Sequence, residues 1–190
     1  MTKENIIHLP NEHLRQKSNK IEVIDKKILE IIEMMKNATI DWDKSREHEI
    51  GVALAAIQID QAYKIIIIRD DQNEKNSLDF NVFINPRIVK YEGDKIEDFE
   101  GCLSVPEIYG KVSRYETVHV TALDQNANSV RIVANDFMAR IFQHEIDHTN
   151  GKLFIDHIKN SPDAFFKLTK SGNLKKIDYE SEIKQNSILW

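Results

Sequence analysis

Isoleucine sets the first rhythm in this chain. Ile28, Ile31, Ile32 and Met35 recur at helical spacing, with Lys26, Lys27, Glu30 and Glu33 between them. The pattern predicts an amphipathic helix from about Lys26 to Lys36, capped by Asp25. The polar segment Asn37 to Glu49 predicts a loop. Tyr63 to Arg69 holds four consecutive isoleucines, which predicts a strand buried on both faces. Phe80 to Pro86 predicts a second strand, ended by the proline that removes a donor. Thr117 to Ala122 alternates apolar and polar, Asp124 to Asn128 makes a turn, and Val130, Ile132 and Ala134 return as an antiparallel partner. Asn135 or Asp136 caps a helix over about Phe137 to Thr149, stopped by Asn150-Gly151. Phe137, Met138, Ile141, Phe142 and Ile146 leave that helix apolar almost all round, so it is expected to be central and buried. Ser161-Pro162-Asp163 predicts a short helix through Phe165 and Phe166, and Ser171 to Trp190 is too mixed to assign. Together the elements predict an α+β fold with antiparallel strands packed around a central helix.

Length changes this picture little: 190 residues suit one domain, 1–190, with a C-terminal tail from about 160. A net charge of −5 without long basic runs argues against nucleic-acid binding. The opening Met1 to His8 lacks the apolar run of a signal peptide, and Ile65 to Ile68 is too short to span a bilayer. With a single cysteine, Cys102, an internal disulfide is impossible, and a cytoplasmic location is expected.

The predicted central helix carries the candidate chemistry. His144-Glu145-Ile146-Asp147-His148 has the form H-E-x-x-H, which sets two imidazoles one turn apart on one face. Glu145, between them, is placed to act as a general base without being a ligand. A buried helix bearing two histidines, a glutamate and an aspartate needs partners for those groups, and a metal ion supplies one. Two histidines leave the ligand set incomplete. His157 lies downstream and reads as a structural or surface histidine. Cys102 lies upstream in a stretch, Glu97 to Pro106, whose glycine and proline flanks predict an irregular path. A thiolate with two imidazoles makes a three-ligand set with a fourth position open. The run Gly51 to Gln58, small and apolar before one amide, suggests backbone held close to another element or to a ligand.

Gly51-Val52-Ala53-Leu54-Ala55-Ala56-Ile57-Gln58, Glu100-Gly101-Cys102-Leu103-Ser104 and Gln143-His144-Glu145-Ile146-Asp147-His148 resemble, in order and spacing, the three motifs of peptide deformylases, over about Ile7 to Ile158. The resemblance implies removal of the formyl group from N-formylmethionyl nascent chains, at the ribosome, with release of formate. It implies that Cys102, His144 and His148 bind one divalent metal, Fe²⁺ in the usual case, with Zn²⁺, Ni²⁺ or Co²⁺ able to occupy the site. Glu145 would be the general acid and base, and the Gln58 amide and the Leu103 backbone N–H would face the formyl oxygen. Asp147 and Gln143 read as supports for these groups, and Phe137, Ile141 and Val52 as an apolar pocket for a methionine side chain.

Two departures stand out. Ala53 replaces the family's usual glycine, which would narrow the cleft or forbid a positive φ, and the connection from Met35 to Gly51 is long enough to form a lip. Two rival readings follow: an H-E-x-x-H zinc peptidase with a ligand other than Cys102, and a weakly active binder of formylated N-termini.

Overall fold

A computed structural model of the chain describes residues 6–72, 74 and 77–184; the opening Met1 to Asn5 and the end of the unassigned tail lie outside these. Among the described residues, seven strands form one antiparallel sheet. They are β1 (Ala53–Ala55), β2 (Ile65–Arg69), β3 (Phe80–Cys102), β4 (Val105–Leu123), β5 (Ser129–Asn135), β6 (Phe165–Leu168) and β7 (Leu174–Lys176), ordered β1-β2-β3-β4-β6-β7 with β5 paired to β4. All five residues of β2 are buried, as their unbroken apolar run demands. Helix α1 (Lys26–Asp43) covers β1 and β2; α2 (Asp136–Thr149) packs against β4 and β1; α3 (Phe154–Ile158) lies on β4.

Several boundaries differ from the predicted ones, each for a local reason. Helix α1 runs seven residues past Lys36, through most of the segment expected to be a loop. Ala38, Thr39 and Trp42 continue its buried stripe, and the Thr39 hydroxyl caps its own polarity on the Met35 carbonyl at 3.0 Å. Pro86 bends β3 without ending it: the register shifts between Ile84 and Arg87, and Asn85 takes φ 51° to absorb the bulge. Cys102 is not on an irregular path. It ends β3, pairs with Val105, and leaves Leu103 and Ser104 as a tight turn into β4. Phe165 and Phe166 are strand rather than helix, because only Pro162–Ala164 makes a helical turn before β6 pairs with Ile108, Tyr109 and Gly110.

Helix α2 is buried from Ala139 to Ile146, but Phe137, in its first turn, is 52 % exposed. The helix ends as predicted, at Gly151 with φ 74°, where a Cβ would lie 2.2 Å from the Arg15 carbonyl oxygen. All three buried clusters draw residues from β3 or β4, and the apolar face of α2 lies in the second of them, with Ile66, Val118 and Val120.

Candidate active site

The helical repeat of α2 and the tip of the β3–β4 hairpin build one cluster. His144 and His148 project from successive turns, with ring centroids 5.0 Å apart. Cys102 Sγ lies 3.3 Å from His148 Nε2, and the three potential ligand atoms fall within 4.8 Å of one another. His157 is elsewhere: its Nε2 meets Asp147 at 2.7 Å and Arg114 at 3.3 Å.

A buried carboxylate sets the orientation of the first imidazole. Glu100 Oε2 accepts from His144 Nδ1 at 3.0 Å, so the proton sits on Nδ1 and Nε2 is left to the cluster. Burial works against an ionised Glu100, yet the bonds from His144 and Arg114 hold its carboxyl well below the usual range. Arg114 grips both Glu100 oxygens, at 2.9 and 3.1 Å, and Arg140 adds a bond at 2.8 Å. Arg114 also reaches Asp147 at 2.6 Å, so a bridge of charges ties the hairpin to α2. Burial holds His148 well below its ordinary value, in the neutral form that can ligate a metal.

Two buried polar atoms here lack partners among the described residues, Glu145 Oε2 and His148 Nδ1. Burial pushes the Glu145 carboxyl up to about 7, moderated by the nearby His144 ring. Unpaired buried polar atoms are costly, and they concentrate where a group outside the chain completes the contacts. A sulfur and two imidazoles at this spacing, next to such a carboxylate, fit a divalent transition metal.

The amide of Gln58 is aimed by the backbone. Its Oε1 accepts the Ala55 N–H at 2.8 Å, which turns Nε2 toward Cys102 Sγ at 3.6 Å and Ser104 Oγ at 3.2 Å. Gln58, Leu103, Glu145 and the cluster's Cys102 and His144 line one cavity of about 390 Å³. Phe137, Ile141 and Val52 form an apolar part of its wall, while His48, Glu49 and Ile50 close another side, so the segment after α1 does make a lip. Ala53 sits in the extended strand β1, 3 % exposed, and is absent from the residues with positive φ. It belongs to the same buried cluster as Ile66 and Ile68 and also lines the cavity, so it stands at the cleft as expected but the constraint of a positive φ does not arise. Gln143 pairs with the Tyr115 backbone in both directions, at 3.1 and 2.9 Å, as a support rather than a cavity residue.

Glu100, Arg114 and Arg140 carry the cluster's electrostatics, and sequence reasoning gave none of them a role. Glu100 stood within a quoted motif, two residues before Cys102. Arg114 and Arg140 carry no local signal, because their partners lie 14 to 44 residues away.

A family model for polypeptide deformylase matches residues 3–163. Peptide deformylase 2 of Clostridium acetobutylicum is 38 % identical over 146 residues, covering 77 % of this chain and 89 % of that protein. The peptide deformylase of Blochmanniella floridana is 35 % identical over 179 residues, covering 94 % and 95 %. The crystal structure of a peptide deformylase from Synechococcus elongatus in complex with actinonin superposes with a TM-score of 0.74 at 34 % identity, covering 82 % of this chain and 80 % of that one. Among the described residues no helix is long and apolar enough to cross a membrane.

Proposed function

The chain belongs to the polypeptide deformylase family and is a hydrolase acting on formyl-peptides, and from that premise we propose what each residue of the site does. Cys102, His144 and His148 hold one divalent metal, Fe²⁺ in the cell, with Zn²⁺, Ni²⁺ or Co²⁺ as replacements. When bound, such a cation supplies Lewis acidity and makes water a stronger nucleophile at neutral pH. The residues do the rest. Glu145 takes the proton of the water that adds to the formyl carbon, then returns it to the amine as the C–N bond breaks, leaving formate and a free N-terminus. Gln58 Nε2 and the Leu103 N–H donate to the oxygen that gains charge in that addition. Glu100, fixed by Arg114 and Arg140, keeps the His144 ring turned with Nε2 toward the cluster. Val52, Phe137 and Ile141 receive the methionine side chain.

The reading extends to N-formylmethionyl nascent chains met at the ribosome in the cytoplasm, and to one catalytic domain spanning 1–190. Strand β6 supports the single domain, since it adds to the same β4 that follows Cys102. The observation that carries the mechanism is the partnerless Glu145 oxygen beside the Cys102–His144–His148 cluster, in a cavity shared with the Gln58 amide. Protein loaded anaerobically with Fe²⁺ or Ni²⁺ is expected to release formate from formyl-Met peptides. Glu145→Gln is expected to keep its metal and lose that release. Cleavage of internal peptide bonds in place of formate release would instead support a peptidase. Tight binding of formyl-peptides without turnover would support a binder.

A further inference from the structure

The segment between α1 and Gly51 is more than a connection, because side chains tie it across the mouth of the cavity. Its Glu49 carboxylate, with a side chain 13 % exposed, accepts a hydrogen bond from the Tyr109 hydroxyl at 2.7 Å. Tyr109 is on β4, sixty residues along the chain, so this one bond bridges the lip to the hairpin that carries Cys102. The ring that delivers the hydroxyl is itself fixed. It lies against Gly101, where a Cβ would come within 2.6 Å of Tyr109 Cε1. The lip has its own supports: Arg46 sits over the Trp42 ring at 5.3 Å and reaches Glu49 at 3.5 Å, and Gly51 N–H donates to Asp43 at 2.6 Å. The His48 ring abuts Gly172, where a Cβ would lie 3.0 Å from His48 Cγ. Burial and the bond to Glu49 push the Tyr109 phenol up, so it remains a donor at any physiological pH.

This bridge borders the part of the cavity that the proposed chemistry leaves free. The helix wall supplies Glu145, His144 and the apolar Phe137 and Ile141, whereas Gly101, Tyr109, His48 and Glu49 form the hairpin side. We propose that the Tyr109–Glu49 hydrogen bond holds residues 44–50 as a strap that contacts the peptide chain after its formylated first residue, making Tyr109 and Glu49 positioning residues that set which formyl-peptides bind. The proposal rests on the deformylase reading for its substrate class. A contact made equally in the bound substrate and the transition state changes KM and leaves kcat alone.

The test compares wild type, Tyr109→Phe and Glu49→Met, which keeps the side-chain length but has no oxygen to accept the bond, each metal-loaded, on formyl-Met and on a formyl-Met tripeptide. Tyr109→Phe deletes only the hydroxyl and keeps the ring on Gly101. Both variants are expected to raise KM for the tripeptide about fivefold, with kcat within about twofold of wild type and little change on formyl-Met. Amide hydrogen exchange over residues 44–50, measured without substrate, is expected to accelerate in both variants, and the double variant to add little to either. Unchanged exchange, or equal KM changes on the short and long substrates, overturns the strap. Absence of formate release by wild type is a separate failure, that of the deformylase reading, and the exchange experiment does not depend on it.

Discussion

Gln58 offers the sharpest separation of structure from chemistry at a single residue, because its two amide ends do different work. The Oε1 end satisfies the Ala55 N–H, and the Nε2 end faces Cys102 and Ser104. Gln58→Glu keeps the acceptor and deletes the donor. It is expected to lower kcat for formyl-Met peptides about 10²- to 10³-fold, with a circular-dichroism spectrum like that of wild type. Cys102→Ser replaces a soft sulfur with a hard oxygen in a site otherwise made of imidazoles. It is expected to leave the protein folded but with a markedly lower metal content after gel filtration; full occupancy and rate would remove Cys102 from the ligand set. Ala53 is a different case. Since its backbone is extended and its methyl is buried, Ala53→Gly is expected to cost about 0.5–1 kcal/mol in denaturant unfolding, without a large gain in rate.

The end of α1 shows what a single element contributes. Asp43, in its last turn, pairs with Arg69 of β2, whose side chain is fully buried, and accepts the Gly51 N–H. The extension of the helix past Lys36 is what brings this carboxylate to the sheet. Removing one partner of a buried ion pair strands the other in a medium that solvates it poorly. Asp43→Asn is therefore expected to destabilise the protein by about 3–5 kcal/mol in urea or guanidinium unfolding. A change below about 1 kcal/mol would show that water reaches Arg69. The β3–β4 hairpin is the matching element on the other side, where the Cys102–Val105 pairing determines where the sulfur points.

Across the whole molecule, the C-terminal strands are part of the scaffold that positions the hairpin. Phe165 is fully buried with Phe154, Val112 and Ile155, and β6 continues the sheet from β4. Phe165→Ala leaves a large void between α3 and the sheet, and is expected to cost about 3–5 kcal/mol, read as a lower denaturation midpoint at unchanged slope. The network Glu100–Arg114–Asp147–His157 works at this same scale, since it joins β3, β4, α2 and α3 from a buried carboxylate out to an exposed imidazole.

Local pattern carried the elements that bury one continuous face. The isoleucine runs of α1 and β2, the alternation before the Asp124 turn and the glycine stop at 151 all lie within a few residues of their signal. Sequence order and spacing also carry the three motifs, two of which hold Cys102, His144 and His148. The rest depended on the folded chain. The bulge at Asn85-Pro86 and the strand identity of Phe165-Phe166 are decided by partners on other strands, which outweigh local propensity. The state of Ala53 is decided by the extended path of β1 between buried neighbours. The Glu100–Arg114–Arg140 clamp and the Tyr109–Glu49 bridge join residues 14 to 60 positions apart, and such pairings have no period in the sequence because only the tertiary fold brings their charges into reach.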